Sequence, residues 1–234
     1  MIFSGHSLVL GAGEVGKSLA EVLGSHYPTY IADVNPPYYE DVDVLHICFP
    51  YFHGFEDAVI SYQGIYKPAL TIIHATVPVG TSRKVDAVHS PIHGKHPKLS
   101  EGIRTFTKYV GAVDLQTAAL AETYLSSAGI TTKIVSSPEV SELSKILCTT
   151  YYGWNILFNK EVKRICDELG VSFDEVYGWN KHYNEGYEKL GMDYFRRPVL
   201  EYSDGKIGGH CVVPNCRLLD SYITKLIKEK DETY

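Results

Sequence analysis

Apolar residues recur along this chain with two different periods, and the change between them divides it. Over the first part, short apolar runs alternate with helix-spaced segments. Residues 7–10, 30–33, 42–49 and 70–75 are runs of four to eight residues, which predicts buried strands. Breakers follow three of them: Asn35-Pro36-Pro37 after the second, Pro50 after the third and Pro78 after the fourth. Between the first two runs, Val15, Leu19, Val22 and Leu23 share one side of a predicted helix over residues 14–23. Residues 109–113 and 132–135 predict two more strands, with a helix over about 115–126 between them. Residues 89–100, rich in Pro, His, Lys and Gly, predict a loop. Strands alternating with helices imply βαβ units and a parallel sheet.

After Thr132 the strand pattern gives way to helix only. Ser137-Pro138 supplies a cap and a first-turn proline. From Pro138 to Leu169 there is no further proline and a single glycine, Gly153, so one long helix is expected, stopped by Gly170. Further helices are expected over about 172–182 and 215–228. The expected organisation is α/β: a doubly wound parallel sheet over residues 1–137, then a smaller all-helical domain over 138–234 for substrate and dimerisation. No internal repeat or low-complexity segment interrupts it.

The turn after the first strand reads Gly11-Ala12-Gly13-Glu14-Val15-Gly16. In a dinucleotide-binding Rossmann unit the first glycine permits the tight turn. The second lets backbone approach a pyrophosphate, and the third lets helix and strand pack closely. The phosphates rest on free N–H groups at the helix start, where the macrodipole favours negative charge. Asp33 closes the second strand, where a carboxylate accepts hydrogen bonds from a ribose and repels a 2′-phosphate, so NAD is expected rather than NADP. Gly11, Gly13, Glu14, Val15, Gly16, Asp33, Pro50 and Thr76 form the expected cofactor contacts.

Composition narrows the partners. The chain has 234 residues, 44% hydrophobic and 21% charged, which fits a packed core. A formal charge of −6 without a run of consecutive Lys or Arg argues against nucleic acid. No apolar run is long enough for a bilayer, and no leader pattern opens the chain. Five scattered cysteines read as reduced thiols, and a cytoplasmic setting is expected. Cys48, Cys148 and Cys166 read as core, and Cys216 as a small apolar filler. Cys211, after Gly208-Gly209-His210, offers a nucleophile. His89, His93, His96 and Lys95 stand on the loop before the second half and suit an anionic substrate or acid–base work. Their spacing lacks a carboxylate or thiol partner, so no metal site is expected.

Taken together, these pieces resemble the UDP-glucose/GDP-mannose dehydrogenase family. The resemblance rests on the glycine fingerprint, Asp33-Val34-Asn35, Ala75-Thr76-Val77-Pro78-Val79-Gly80-Thr81, Glu142-Leu143-Ser144-Lys145-Ile146, and Ile207-Gly208-Gly209-His210-Cys211-Val212-Val213-Pro214, in the family's order. It implies a homodimer built on the long helix and oxidation of a sugar's primary alcohol in two hydride transfers. Cys211 would capture the aldehyde as a thiohemiacetal, Lys145 would steady the developing oxyanion, and Thr76 would lie beside the nicotinamide. His93, His96, Lys145, Thr149, Gly209 and His210 are the expected substrate contacts, and a nucleotide sugar is the substrate the resemblance suggests. Three positions depart from the family pattern. Ile92 follows Ser90-Pro91 where a glutamate is usual, Thr149 replaces an asparagine and Asn215 an aspartate. These bear on handling water more than on hydride transfer. The chain ends at Tyr234, soon after the Cys211 segment, so a short form without the family's C-terminal nucleotide-sugar domain is expected. Two alternatives stand beside this reading. One is a catalytically degenerate binder of NAD or a nucleotide sugar. The other is a dehydrogenase of a carboxylate-bearing small molecule, since the His-Pro loop is similar to that of prephenate dehydrogenases.

Overall fold

A computed structural model describes residues 4–33, 35–95, 97–209 and 211–234. His96 and His210, both expected substrate contacts, lie outside the described residues, as does Val34 of the resemblance.

Seven strands form one sheet: β1 (His6–Leu10), β2 (Thr29–Ala32), β3 (Val42–Ile47), β4 (Leu70–Ile73), β5 (Val88–His89), β6 (Lys108–Gly111) and β7 (Thr132–Val135). Their order is β2-β1-β3-β4-β5-β6-β7. The first five run parallel. β6 is antiparallel to β5, and β7 is parallel to β6, so the expected all-parallel sheet is in fact mixed. The helices α1 (Glu14–Gly24), α2 (Phe55–Tyr66), α3 (Thr81–Lys84), α4 (Leu99–Thr105) and α5 (Leu115–Ser127) complete a Rossmann-type layered fold.

Alternate strand residues feed opposite faces, as the two-residue period requires. Val9, Val44 and Ile72 join Leu19, Val22, Ile103 and Leu125 on one face. Leu8, Leu45 and Ile73 join Phe55, Val59 and Val85 on the other. The expected loop over 89–100 is shorter than read: its first residue closes β5 and its last two open α4.

The long helix α6 is one element, Pro138–Leu169. After it come α7 (Phe173–Lys189), a 3₁₀ turn (Asp193–Phe195), α8 (Val212–Cys216) and α9 (Tyr222–Thr233). The helix expected over 215–228 is two helices. Ser221 interrupts it with a capping box, accepting from the Thr224 N–H while Thr224 Oγ1 accepts from the Ser221 N–H.

The chain divides into two compact units, Met1–Ile146 and Leu147–Tyr234. The division falls inside α6, because its first turns are bonded into the sheet unit. Glu142 accepts from the Gly80 and Ser82 N–H groups at 2.6 and 2.8 Å, Ser141 meets His89, and Arg83 pairs with Glu139. The second unit has its own core of Leu157, Ile207, Val212, Cys216 and Ile227. Gly153 lets α6 lie against α8 there, since a Cβ at that position would stand 2.5 Å from Val212 Cγ1.

Candidate functional site

The glycines of the fingerprint play three distinguishable parts. Gly11 ends β1 with φ +103°, and a Cβ there would fall 2.6 Å from the Phe49 nitrogen. Gly16 is packed so closely that its Cβ would stand 1.8 Å from the Gly11 carbonyl oxygen. Gly13, at the start of α1, has no atom within 4 Å of where a Cβ would be, and no side chain caps the helix there. Two glycines thus hold the turn closed, and the third keeps open space over the N–H groups of α1. That is the form a pyrophosphate cradle needs.

Beside it lies a cleft of about 350 Å³ at the carboxyl ends of the strands, lined by Gly11, Asp33 and Pro50. These three expected cofactor residues therefore converge. Phe49, Phe52, Ala58 and Tyr62 line the same cleft and were not foreseen. The aromatic run Phe49-Pro50-Tyr51-Phe52 was the available signal. Phe49 packs against Phe55 at 5.2 Å and Phe52 at 6.1 Å between centroids, forming an apolar shelf, with the exposed Asp33 carboxylate on the cleft's lining. A planar base and a ribose diol are what such a shelf and acid accommodate. The residues present fit a dinucleotide.

Thr76 is half-buried in the segment after β4, which ends where Glu142 takes up the Gly80 and Ser82 N–H groups. Lys145, also half-buried, donates to the Ile92 carbonyl at 2.8 Å. His93 lies one residue on, its ring 6.1 Å from that of Phe106. Burial, aided by the charges of Lys145 and Lys108, pulls the His93 pKa down to about 4. At neutral pH it is an uncharged imidazole, able to accept a proton but not to attract an anion as a cation. His89 is no ligand candidate. It is fully buried between Ser141 Oγ at 2.8 Å and the Ala75 carbonyl at 3.1 Å, and burial lowers its pKa to about 3. Lys95 is exposed.

In the second unit Cys211 is exposed, immediately before α8, and Gly209 is exposed just ahead of it with φ +83°. Asn215, four residues after Cys211, is buried and donates from Nδ2 to Thr149 Oγ1 at 3.2 Å. The two positions that depart from the family's amide and acid therefore meet as a neutral pair. Cys148, expected in the core, is exposed. Cys48 is half-buried, and Cys166 and Cys216 are buried. Among the described residues no group of three His, Cys, Asp or Glu stands close enough to hold a metal ion, and no helix is long and apolar enough to cross a membrane.

No protein-family model matches the sequence. Among curated proteins it is similar to the UDP-N-acetyl-D-mannosamine dehydrogenase of Methanococcus vannielii, with 24% identity over 152 residues, 61% of this chain. The chain spans about a third of the length of the curated relatives it matches. Among solved structures it resembles the UDP-D-ManNAc dehydrogenase of Pyrococcus horikoshii with a TM-score of 0.79 and 18% identity, covering 97% of this chain and 68% of that one. It also resembles the Mycobacterium tuberculosis 3-hydroxyisobutyrate dehydrogenase, with a TM-score of 0.69 and 14% identity, covering 99% of this chain and 94% of that one.

Proposed function

We propose that this chain binds NAD on its first unit and oxidises an alcohol carbon of a sugar or related small molecule. The observation that carries the reading is the fingerprint geometry: Gly11 and Gly16 closed on backbone, Gly13 open, and Asp33 on the adjoining cleft. Gly13, Glu14 and Val15 present N–H groups to the pyrophosphate, Asp33 accepts from the ribose, and Pro50 with Phe49 and Phe52 bounds the base. When bound, NAD supplies the oxidant.

The chain's own residues then have distinct tasks. Lys145 donates to the substrate oxygen and steadies its negative charge as the carbinol proton leaves. Uncharged His93, beside it, accepts a proton. The alcohol loses two electrons and two protons to become an aldehyde. Cys211 sulfur adds to the aldehyde carbon while the oxygen takes the thiol's proton, giving a thiohemiacetal. A second two-electron oxidation yields the thioester, and water releases the carboxylate and restores the thiol. Thr149 and Asn215 are neutral, so they can orient that water but not deprotonate it.

A nucleotide sugar is the favoured substrate, because the curated relative named above is a UDP-N-acetyl-D-mannosamine dehydrogenase. A second reading is a small carboxylate-bearing alcohol, the kind of substrate named for the 3-hydroxyisobutyrate dehydrogenase whose fold this chain shares. The reading extends to a homodimer. Leu147, Tyr151, Trp154 and Phe158 form an exposed stripe along α6 at helical spacing, suited to a second copy. A reduced, cytoplasmic setting keeps Cys211 as a thiol.

The test is formation of reduced nicotinamide by wild type and Cys211→Ser across UDP-sugars, GDP-sugars and 2- and 3-hydroxy acids. Turnover of a nucleotide sugar lost in Cys211→Ser supports the thiohemiacetal route. Turnover of a hydroxy acid that survives Cys211→Ser supports the second reading. Silence across the panel with NAD still bound points to another substrate class or to a degenerate binder.

A further inference from the structure

A line of hydrogen-bonded polar groups crosses the interior of the sheet unit, in a layer otherwise filled by Val, Leu and Ile. Ser7 Oγ on β1 lies 2.6 Å from the Tyr124 hydroxyl on α5, which lies 3.0 Å from His46 Nε2 on β3. His46 Nδ1 meets His74 Nε2 at 2.9 Å, and His74 Nδ1 meets the Ser90 carbonyl at 2.8 Å. All four side chains are essentially excluded from solvent.

The direction of every bond follows from its last acceptor. A carbonyl only accepts, so His74 Nδ1 carries the proton. In a neutral ring Nε2 then accepts from His46 Nδ1, His46 Nε2 accepts from Tyr124, and Tyr124 accepts from Ser7. Burial keeps both rings neutral, lowering His46 to about 3 and His74 well below the usual histidine value. The whole line thus donates toward one backbone carbonyl.

That carbonyl is shared with Lys108. Its side chain, buried on β6, donates from Nζ to the Ser90 carbonyl at 2.5 Å and the Pro91 carbonyl at 2.9 Å. The next carbonyl, of Ile92, accepts from Lys145. Two lysines and a histidine therefore hold three consecutive carbonyls of one loop. Burial and the charge of Lys145 lower the Lys108 pKa well below the usual lysine value. Cys48, His46, His74, His89, His93 and Lys145 are the titratable groups that interact with it. Core packing does not call for a lysine here, since a methionine would fill the same space without desolvating an amine.

We propose that Lys108 is a positioning residue for Lys145: by fixing the Ser90 and Pro91 carbonyls it sets the Ile92 carbonyl, and that carbonyl sets the Lys145 amine. The chemical purpose of Lys145 rests on the proposed dehydrogenase function; the positioning itself does not.

The experiment is competitive acylation of lysines with acetic anhydride, read residue by residue by mass spectrometry, with Lys181 of the second unit as internal reference. It is run beside amide hydrogen exchange over residues 92–95. Lys108→Met, with retained circular dichroism, is expected to raise the relative acylation rate of Lys145 roughly three- to tenfold, because its amine is no longer held on a fixed acceptor. Exchange over 92–95 should quicken with it. Lys108→Gln, which keeps two N–H donors on an uncharged chain, should return both toward wild type. A folded Lys108→Met with wild-type Lys145 reactivity and exchange overturns the proposal. If neither variant folds, wild type decides. Amides of Ile92 and His93 that exchange as fast as those of the exposed residues 203–206 overturn it, and slow exchange there supports it. Acylation needs neither cofactor nor substrate, so failure here is distinct from failure of the dehydrogenase reading.

Discussion

Single residues give the sharpest tests, because the three fingerprint glycines look alike in sequence and differ in surroundings. Gly16→Ala puts a methyl group 1.8 Å from a backbone oxygen, which no side-chain adjustment relieves. It should cost roughly 1–3 kcal/mol of stability, read as a lower urea midpoint. Gly13→Ala meets nothing within 4 Å, and its φ of −75° suits any residue. Its stability should match wild type while its NAD affinity falls, since the added methyl occupies the open space over the α1 N–H groups. Equal loss of stability in both variants would contradict this division of roles.

Among elements, α6 is held to the sheet unit by its first turns. Glu142 is the central tie, accepting two backbone N–H groups just ahead of and within α3. Glu142→Leu leaves both donors without that acceptor and should cost about 2 kcal/mol or more, seen as a lowered thermal midpoint. A midpoint equal to wild type would show the tie to be dispensable. The extent of α6 is legible, because Ser137-Pro138 and Gly170 mark its ends by local chemistry. β5 is not, since two residues carry no period. The break between α8 and α9 lay in Ser221, whose capping role competes with a helical pattern that continues through it. The reversal of β6 depends on pairing with a strand distant in sequence, which no local pattern encodes. At the site, Gly11, Asp33 and Pro50 were legible because turn, acid and breaker each have a fixed backbone consequence. Lys108 was not, because its partners are backbone carbonyls that any residues at 90 and 91 would supply. His89 was misread for a related reason: a polar stretch does not reveal which of its members the sheet will bury.

The molecule as a whole combines a neutral buried histidine set with an exposed apolar stripe, and each has a bulk consequence. His46 and His89 have folded pKa values near 3, below the ordinary histidine value of 6.5. Between those values the unfolded chain binds more protons than the folded one, so stability is full above about pH 6.5 and lost as pH falls toward 3. Each histidine contributes at most about 1.4 kcal/mol per pH unit in that window. Thermal melts should therefore fall steadily from pH 7 to pH 4. A midpoint flat over that range would show the rings to be protonated or solvated in the fold. The α6 stripe predicts a dimer by light scattering that Trp154→Glu converts to monomer; a monomeric wild type at micromolar concentration contradicts it. The proposed activity requires the cleft beside Gly11 and Asp33 to be a dinucleotide site. Calorimetric titration of NAD and NADP into wild type and Asp33→Ala tests that most directly. Saturable NAD binding, weaker NADP binding and loss of the difference in Asp33→Ala are predicted. No NAD binding by the folded wild-type protein, or equal affinity for both cofactors, would contradict it.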